Sequence, residues 1–483
     1  MKIAIKILNL ILISNMLQLL IILTVIPLFY LLLSSKFYKE ISFLFSIILF
    51  AFSLFIFLTL DSNSPEFQYY FYILNYKFGL DNISIWFILL TTFLQPICIL
   101  INWNNNHKEI FIYLYFIELL LFILFLTLNL LFFYILFESI LIPMFFYIGQ
   151  FGARHRKIEA AFKFFIYTYI GSLFMFLGLV YINYTKGTLD VELLYVTEFS
   201  RNEQILLWLS FFASFSVKIP IVPFHIWLPE AHVEAPTAGS VLLAGILLKL
   251  GIYGFIRYSI PLFPIGSIYF LPLIYTIGLI SILYSSLVTV RQIDLKKIIA
   301  YASIGHMNFV LLGLFSQSIE GLMGSMYIML SHGFISSGLF TTIGILYDRH
   351  HSRIIYYYRG LTNVMPLFAF FFFLLNLANA SFPGTASFIG EFIILFPLLK
   401  LNPFIGILTT FSLLFSSLYS IWLINRIIFG SLTIYINKFN DLKFREISIL
   451  ILFTAIIIYF GLFPQIIFDK LMISLSYYYV LYI

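Results

Sequence analysis

Thiol chemistry has almost nothing to work with in this chain, because Cys98 is the single cysteine among 483 residues. An internal disulfide and a four-thiolate iron–sulfur cluster are therefore excluded. Charge is scarce as well, at 10% of residues, and no connecting segment is long enough to build a core of its own, which excludes a soluble domain. Neither a GxxxxGK[ST] loop nor a GxGxxG turn is present, so direct nucleotide binding has no support. His225 and His232 are seven positions apart across a proline-bounded loop, and no helix carries the inward histidine pair of a membrane di-haem protein. No metal and no cofactor is expected on this chain. The net charge of +6 comes from basic residues scattered over short loops, a pattern that does not suit nucleic acid.

What is present is apolar surface: 62% hydrophobic residues and a mean hydropathy of +1.04. This composition specifies a polytopic helical membrane protein. Lys2 and Lys6 precede an apolar run from Ile7 to Leu33 that is too long for a signal-peptide core and has no small-residue cleavage site, so the first helix is expected to be retained. Phe at 59 against Gly at 25 and Pro at 16 reads as codon bias in an AT-rich genome, an organelle's or a bacterium's.

Stretches of about 20 apolar residues predict helices near 8–33, 41–60, 82–101, 110–128, 130–149, 161–183, 204–228, 236–257, 268–290, 297–315, 321–345, 364–399, 403–429 and 447–468. The expected fold class is thus all-α, with about fourteen transmembrane helices and both termini on one side. Loops after odd-numbered helices hold 17 of the 27 basic residues, Arg154, Arg156, Lys296, Arg353 and Lys438 among them; the other face, Arg257 included, holds 8. By the positive-inside rule the first face is cytoplasmic or matrix, and the termini lie opposite.

Two helices are interrupted. Lys218 lies in an apolar helix and is followed by Pro220 and Pro223; a charge at that depth costs ~2.5–3.5 kcal/mol on insertion scales, and broken backbone must line a polar cavity. The second interruption, Asn379 to Thr385 with Pro383 and Gly384, precedes Glu391. Taking helices 4–8 and 9–13 as units puts each break in a unit's fourth helix, and five being odd inverts the second unit. The expected divisions are 1–109 for the N-terminal helices, 110–257 and 268–429 for two inverted five-helix repeats, and 430–483 for the last helix and C-terminus. Paired breaks in inverted halves point to a transport fold with its sites near the midplane.

Four ionisable residues fall inside spans: Glu138, Lys218, Lys249 and Glu391. Each is costly unless paired or hydrated, and a movable carboxylate beside Lys218 would shift its hold on a proton. His332 can relay protons near neutral pH, a packed hydrogen-bonding role being the alternative. His225, His232 and His306 lie near span ends, where solvation or capping is the default and a relay role the alternative. Glu118 faces either a polar cavity or a structural partner. The competing reading makes all these charges structural ion pairs that fix helix register.

At these residues the chain resembles the antiporter-like membrane subunits of respiratory complex I. The resemblance is carried by FESILIP from Phe137 to Pro143, SVKIPIVPFHIWLPEAHVEAPTAGSVLLAGILLKLG from Ser216 to Gly251, DLKKIIAYASIGHMN from Asp294 to Asn308, His332-Gly333, and FPGTASFIGEF from Phe382 to Phe392. It implies proton translocation with Glu138 and Lys218 as a coupled pair, Lys249 as central relay and Glu391 toward the exit; Glu118 has no counterpart. It also implies that NADH, FMN, iron–sulfur clusters and ubiquinone are handled by other subunits, that the neighbouring antiporter-like chains 2 and 5 are partners, and that the chain is multi-pass in the mitochondrial inner membrane with both termini toward the intermembrane space, a bacterial plasma membrane being the alternative. Cardiolipin against Arg154 to Lys157 fits such a membrane. A cation/proton antiporter subunit and a structural membrane subunit are the rival functions.

Overall fold

The computed structural model describes residues 2–33, 36–73, 76–433 and 440–482; Lys438 lies outside them. Among the described residues, 12 helices are long and apolar enough to cross a membrane. In lipid only a helix satisfies its own backbone, which is why each long apolar run folds this way. They are α1 (Lys2–Leu33), α2 (Tyr38–Thr59), α3 (Ser84–Ile101), α4 (Lys108–Leu126), α5 (Leu130–Phe151) and α6 (Lys157–Lys186). After the interrupted α7 come α8 (Thr237–Leu262), α9 (Leu271–Arg291), α10 (Leu295–Leu314) and α11 (Ile319–His350); after the interrupted α12 come α13 (Pro403–Ile427) and α14 (Phe444–Leu462). The interrupted pair consists of α7a (Arg201–Lys218) with α7b (Trp227–Glu234), and α12a (Pro366–Asn379) with α12b (Ala386–Leu401). The expected all-α polytopic architecture is therefore observed.

Local chemistry explains the irregularities. Pro143 has no N–H to offer the Ser139 carbonyl, and α5 jogs at Ile140, one turn earlier and just past Glu138. At the first break the freed backbone groups find side chains from elsewhere: Trp227 Nε1 donates to the Val217 carbonyl at 2.9 Å, and Ser281 Oγ accepts from the Val222 N–H at 3.0 Å. At the second, the Ser387 hydroxyl donates to the Ala378 carbonyl and the Thr385 hydroxyl to Phe382 at 2.7 Å. Non-helical backbone is tolerated at this depth because side chains of the breaks, of the half-helices that follow them and of α9 satisfy it.

Two helices form the seam between the halves. The apolar windows of α8 and α11 are 100% buried, against 28% for α2 and α14. Lipid tails give no hydrophobic push, so such helices pack through small residues. A Cβ on Gly333 of α11 would sit 3.2 Å from the Gly245 carbonyl oxygen of α8, so tight that the helices would have to part by a few tenths of an ångström to admit it. Within α8, π-helical turns at Leu243–Leu247 and Phe255–Ser259 flank the α segment Lys249–Gly254.

Polar contacts gather the helix ends on both sides. At one, Lys39 donates to Asn106, Arg445 to Asn104, and Arg349 pairs with Glu446 at 2.6 Å, which gathers the ends of α2, α3, α11 and α14. At the other, Lys77 pairs with Glu192. Three features there depart from the expectations. A β-hairpin, β1 (Tyr69–Ile73) with β2 (Tyr76–Leu80), pairs antiparallel with Phe71 opposite Phe78 where a plain loop was expected. A further helix, α15 (Gln465–Tyr482), follows the last span and lies across the ends of α2, α8 and α11, through Lys470 to the Leu60 carbonyl, Tyr478 to Arg257 and Tyr479 to the Gln317 carbonyl. Arg257 is no loop residue: α8 continues to Leu262, and the Arg257 guanidinium donates to Asp81 Oδ1 at 2.6 Å with both side chains at most 2% exposed. Burial opposes charge on Asp81, but Arg257 and the Ser84 N–H and hydroxyl outweigh it and hold the carboxyl below its usual range. Lys296 and Arg353, also assigned to loops, are buried too, since their long side chains turn inward to carbonyls at the C-terminal end of α7b, Ala235 and Val233.

Candidate functional site

The interrupted helices place the site. In each repeat the charge beside the break faces the second helix of that repeat: Lys218 of α7a faces α5, and Glu391 of α12b faces α10. Lys218 Nζ donates to the Phe137 carbonyl at 3.3 Å and lies 4.3 Å from the Phe137 ring centre. It forms no ion pair with Glu138, the next residue, whose two carboxylate oxygens are buried without a hydrogen-bond partner. The coupled pair of the sequence reading is thus adjacent but unjoined, with the lysine resting on the backbone and ring of the preceding residue.

Lys249 is fully buried where α8 meets α11. The π turn before it redirects backbone bonding: the Leu248 N–H reaches back to the Leu243 carbonyl at 3.2 Å, and the Lys249 ammonium donates to the Ala244 carbonyl. Its second partner is His332 Nδ1 of α11 at 3.0 Å, within the close approach that Gly245 and Gly333 allow. The His332 and His306 ring centres are 5.6 Å apart, and His306 Nδ1 comes within 3.2 Å of Glu391 Oε1 without a hydrogen bond between them. Lys249, His332, His306 and Glu391 therefore make one continuous buried series from the fifth helix of the first repeat to the broken helix of the second.

His306, expected near a span end in a solvated role, is in the middle of α10 and 8% exposed. The signal available was Ser303 and His306, polar residues three apart and so on one face of an apolar span. Phe137, which holds Lys218, packs on Phe215 at 6.0 Å, and Phe215 packs on Phe255 of α8 at 5.1 Å.

The remaining histidines belong to the basic end. His225 lies beside Tyr284 at 5.2 Å between ring centres, with Nδ1 unpartnered. His232 of α7b is fully buried, stacks on Phe340 at 4.7 Å and has both ring nitrogens unpartnered, within electrostatic reach of Lys249 and Lys296. Sequence reasoning passed over what surrounds it. A surface basin of about 850 Å³ is lined by Arg154, Arg156, Lys163 and Lys297 together with Glu159, Glu230, Glu234 and Asp294. Glu234 is 5% exposed with Oε2 unpartnered, and Lys296 donates to Ser240 Oγ at 3.2 Å, whose hydroxyl in turn donates to the His232 carbonyl at 3.0 Å. Glu118 stands apart, buried in α4 with both oxygens unpartnered.

A buried lysine–histidine–carboxylate series can hold and pass protons. Residues 127–416 match the family model described as NADH:quinone oxidoreductase/Mrp antiporter, TM. The chain is similar to NADH-ubiquinone oxidoreductase chain 4 of Marchantia polymorpha, 50% identical over 442 residues with 89% of each chain covered. Its likeness to the protein of that name from Chondrus crispus is 52% identity over 431 residues, covering 87% of this chain and 88% of the other. Among solved structures, a chain of respiratory complex I from Thermus thermophilus with bound NADH superposes with a TM-score of 0.89 at 28% identity, covering 96% of this chain and 99% of that one. A chain of the archaeal membrane-bound sulfane sulfur reductase shares the fold, at TM-score 0.84 and 20% identity over 97% and 99%. The chain belongs to the NADH:quinone oxidoreductase/Mrp antiporter membrane family, with the NADH-ubiquinone oxidoreductase chain 4 proteins among its relatives.

Proposed function

We propose that this chain is a proton-translocating membrane subunit of respiratory complex I, and that its path runs from the basin through His232 to Lys249, His332, His306 and Glu391. The observation that carries this reading is the unbroken contact series from Lys249 to Glu391. NADH oxidation and ubiquinone reduction, with FMN and iron–sulfur clusters, belong to other subunits, and the antiporter-like chains 2 and 5 are its neighbours. The membrane is the mitochondrial inner membrane, with both termini toward the intermembrane space and cardiolipin against the Arg154–Lys157 end.

Coupling enters at Glu138 and Lys218. In the present arrangement Lys218 is held by Phe137 and Glu138 is unpaired. Swinging the ammonium onto the neighbouring carboxylate would join the charges, and removing the lysine charge from the aromatic wall would change the field at Lys249. A conformational or electrostatic signal from the redox subunits would drive that swing, and the proton would leave Lys249 through His332.

The test begins with the complex that co-purifies with the chain in mild detergent. Flavin and iron–sulfur subunits with NADH-quinone reductase activity are expected; antiporter-type partners alone would move the protein to the cation/proton antiporters. In the assembled complex, Lys249→Met is then expected to lower proton-coupled turnover in sealed vesicles by roughly 10²-fold or more, the scale of one lost acid–base group. Full pumping by Lys249→Met would make the charges structural.

A further inference from the structure

A basic groove without acidic lining lies on the outside of the second repeat. It holds about 370 Å³ between the end of α13 and the α11–α12 connection, and is lined by Arg359, Trp422, Asn425, Arg426, Phe429 and Gly430. The basin described above sets Arg154, Arg156, Lys163 and Lys297 against as many carboxylates; here two guanidiniums share a surface with none. Arg426 lies 5.6 Å from the Tyr356 ring centre, and among the described residues neither guanidinium has an ion pair or a hydrogen bond. Like charges gathered in this way repel unless an anion joins them.

The backbone fixes the pair. The Gly360 N–H donates to the Phe429 carbonyl at 3.2 Å, and the N–H and hydroxyl of Thr362 donate to the Ile428 carbonyl at 3.3 and 3.1 Å, so the connection that carries Arg359 is tied to the end of α13. Gly430 has φ +99°, and a Cβ on it would come within 2.6 Å of Arg359 Nε. Glycine there both makes the turn and leaves room for the arginine.

The surroundings say which anion fits. Arg426 is in the last turn of α13, and Ile421, Leu418, Leu414 and Phe411, each at least 50% exposed, run away from it along the span. Their spacings of three and four make one lipid-facing stripe. The stretch from Arg426 back to Leu414 measures about 18 Å at 1.5 Å per residue, enough to accompany an acyl chain through one leaflet of a ~30 Å core. Trp422, 40% exposed on the same face as Asn425 and Arg426, marks the headgroup level, where interfacial tryptophans sit. Guanidinium forks match phosphate oxygens two at a time.

We propose that this groove binds an anionic phospholipid of the leaflet at the basic end, with its phosphate between Arg359 and Arg426, its glycerol region against Asn425 and Trp422, and an acyl chain along Leu418 and Leu414. The site is separate from the Arg154–Lys157 end and does not depend on the proton path.

The intact complex in vesicles tests it, with a trace of phospholipid that carries a photoactivatable diazirine in its acyl chain, as phosphatidylglycerol or as phosphatidylcholine. Peptides from residues 404–430 are expected to take up roughly ten-fold more of the anionic probe. Arg359→Gln with Arg426→Gln is expected to abolish that preference, and Arg359→Lys with Arg426→Lys, which keeps the charge and loses the fork, only to weaken it. Equal labelling by the two probes, or a preference unchanged in the glutamine pair, would overturn the proposal, as would a stripe labelled by neither because another protein chain covers it. If the glutamine pair does not assemble, the natural complex still decides. Its cryo-EM map is expected to show phosphate density within hydrogen-bond distance of both guanidiniums, and solvent or a protein carboxylate in that place would refute the idea.

Discussion

Lys249 serves two bonds at once, one to His332 and one to the carbonyl that its own helix leaves over. Its ammonium stands in for the N–H that the π turn moves away from Ala244, so proton transfer at Lys249 alters the bonding of the backbone that carries it. The histidine contact depends in turn on two glycines. Gly333→Ala puts a Cβ 3.0 Å from Leu90 and 3.2 Å from a backbone oxygen that cannot yield, forcing α8 and α11 apart by tenths of an ångström. Turnover of assembled Gly333→Ala complex is expected to fall about ten-fold, since a displacement of that order misaligns donor and acceptor, and Gly333→Val further; normal turnover by both would show that the 3.0 Å contact is dispensable. The identities of the buried charges were legible in the sequence, because an ionisable residue in an apolar span announces itself. Their partners were not: which face of α10 meets α12b follows from packing, and hydropathy alone could not move His306 from a span end to the side of Glu391.

Interruptions were the readable elements, since proline and glycine in an apolar run leave backbone groups that must be satisfied elsewhere. The β-hairpin went unread because a window of about 20 residues cannot resolve two five-residue strands, although the aromatic run Tyr69 to Phe71 and Phe78 carries strand propensity. Arg257 was misplaced for a related reason, as a helix that π turns lengthen runs past the point where its hydropathy falls. The Asp81–Arg257 pair now ties the hairpin end to α8. Arg257→Met strands a buried carboxylate and is expected to destabilise the complex by about 3–5 kcal/mol, read as lowered thermal stability or lost assembly, whereas Asp81→Asn with Arg257→Met together should recover much of it. Because the folded carboxyl lies below its unfolded value, the pair's contribution is complete above pH ~4 and is lost only as pH falls through the folded value. The melting difference between natural and Asp81→Asn complexes should therefore be flat near neutrality and shrink in acid.

At the scale of the whole molecule, the polytopic helical character came directly from the sequence, since it is a sum over many residues; about fourteen spans were expected, and among the described residues 12 helices are long and apolar enough to cross a membrane, with two interrupted helices beside them. Orientation is checked with an impermeant amine reagent on sealed inner-membrane vesicles: Lys36 is expected to react from the matrix side and Lys400, also exposed, from the other; the reverse pattern would invert the proposed topology. The clasp at the less basic end has a further meaning in the order of synthesis. Its members are residues 81, 257 and 478, so the first waits for the last through nearly the whole of translation, and a chain cut short after α14 would insert every span yet never close the brace across α2, α8 and α11.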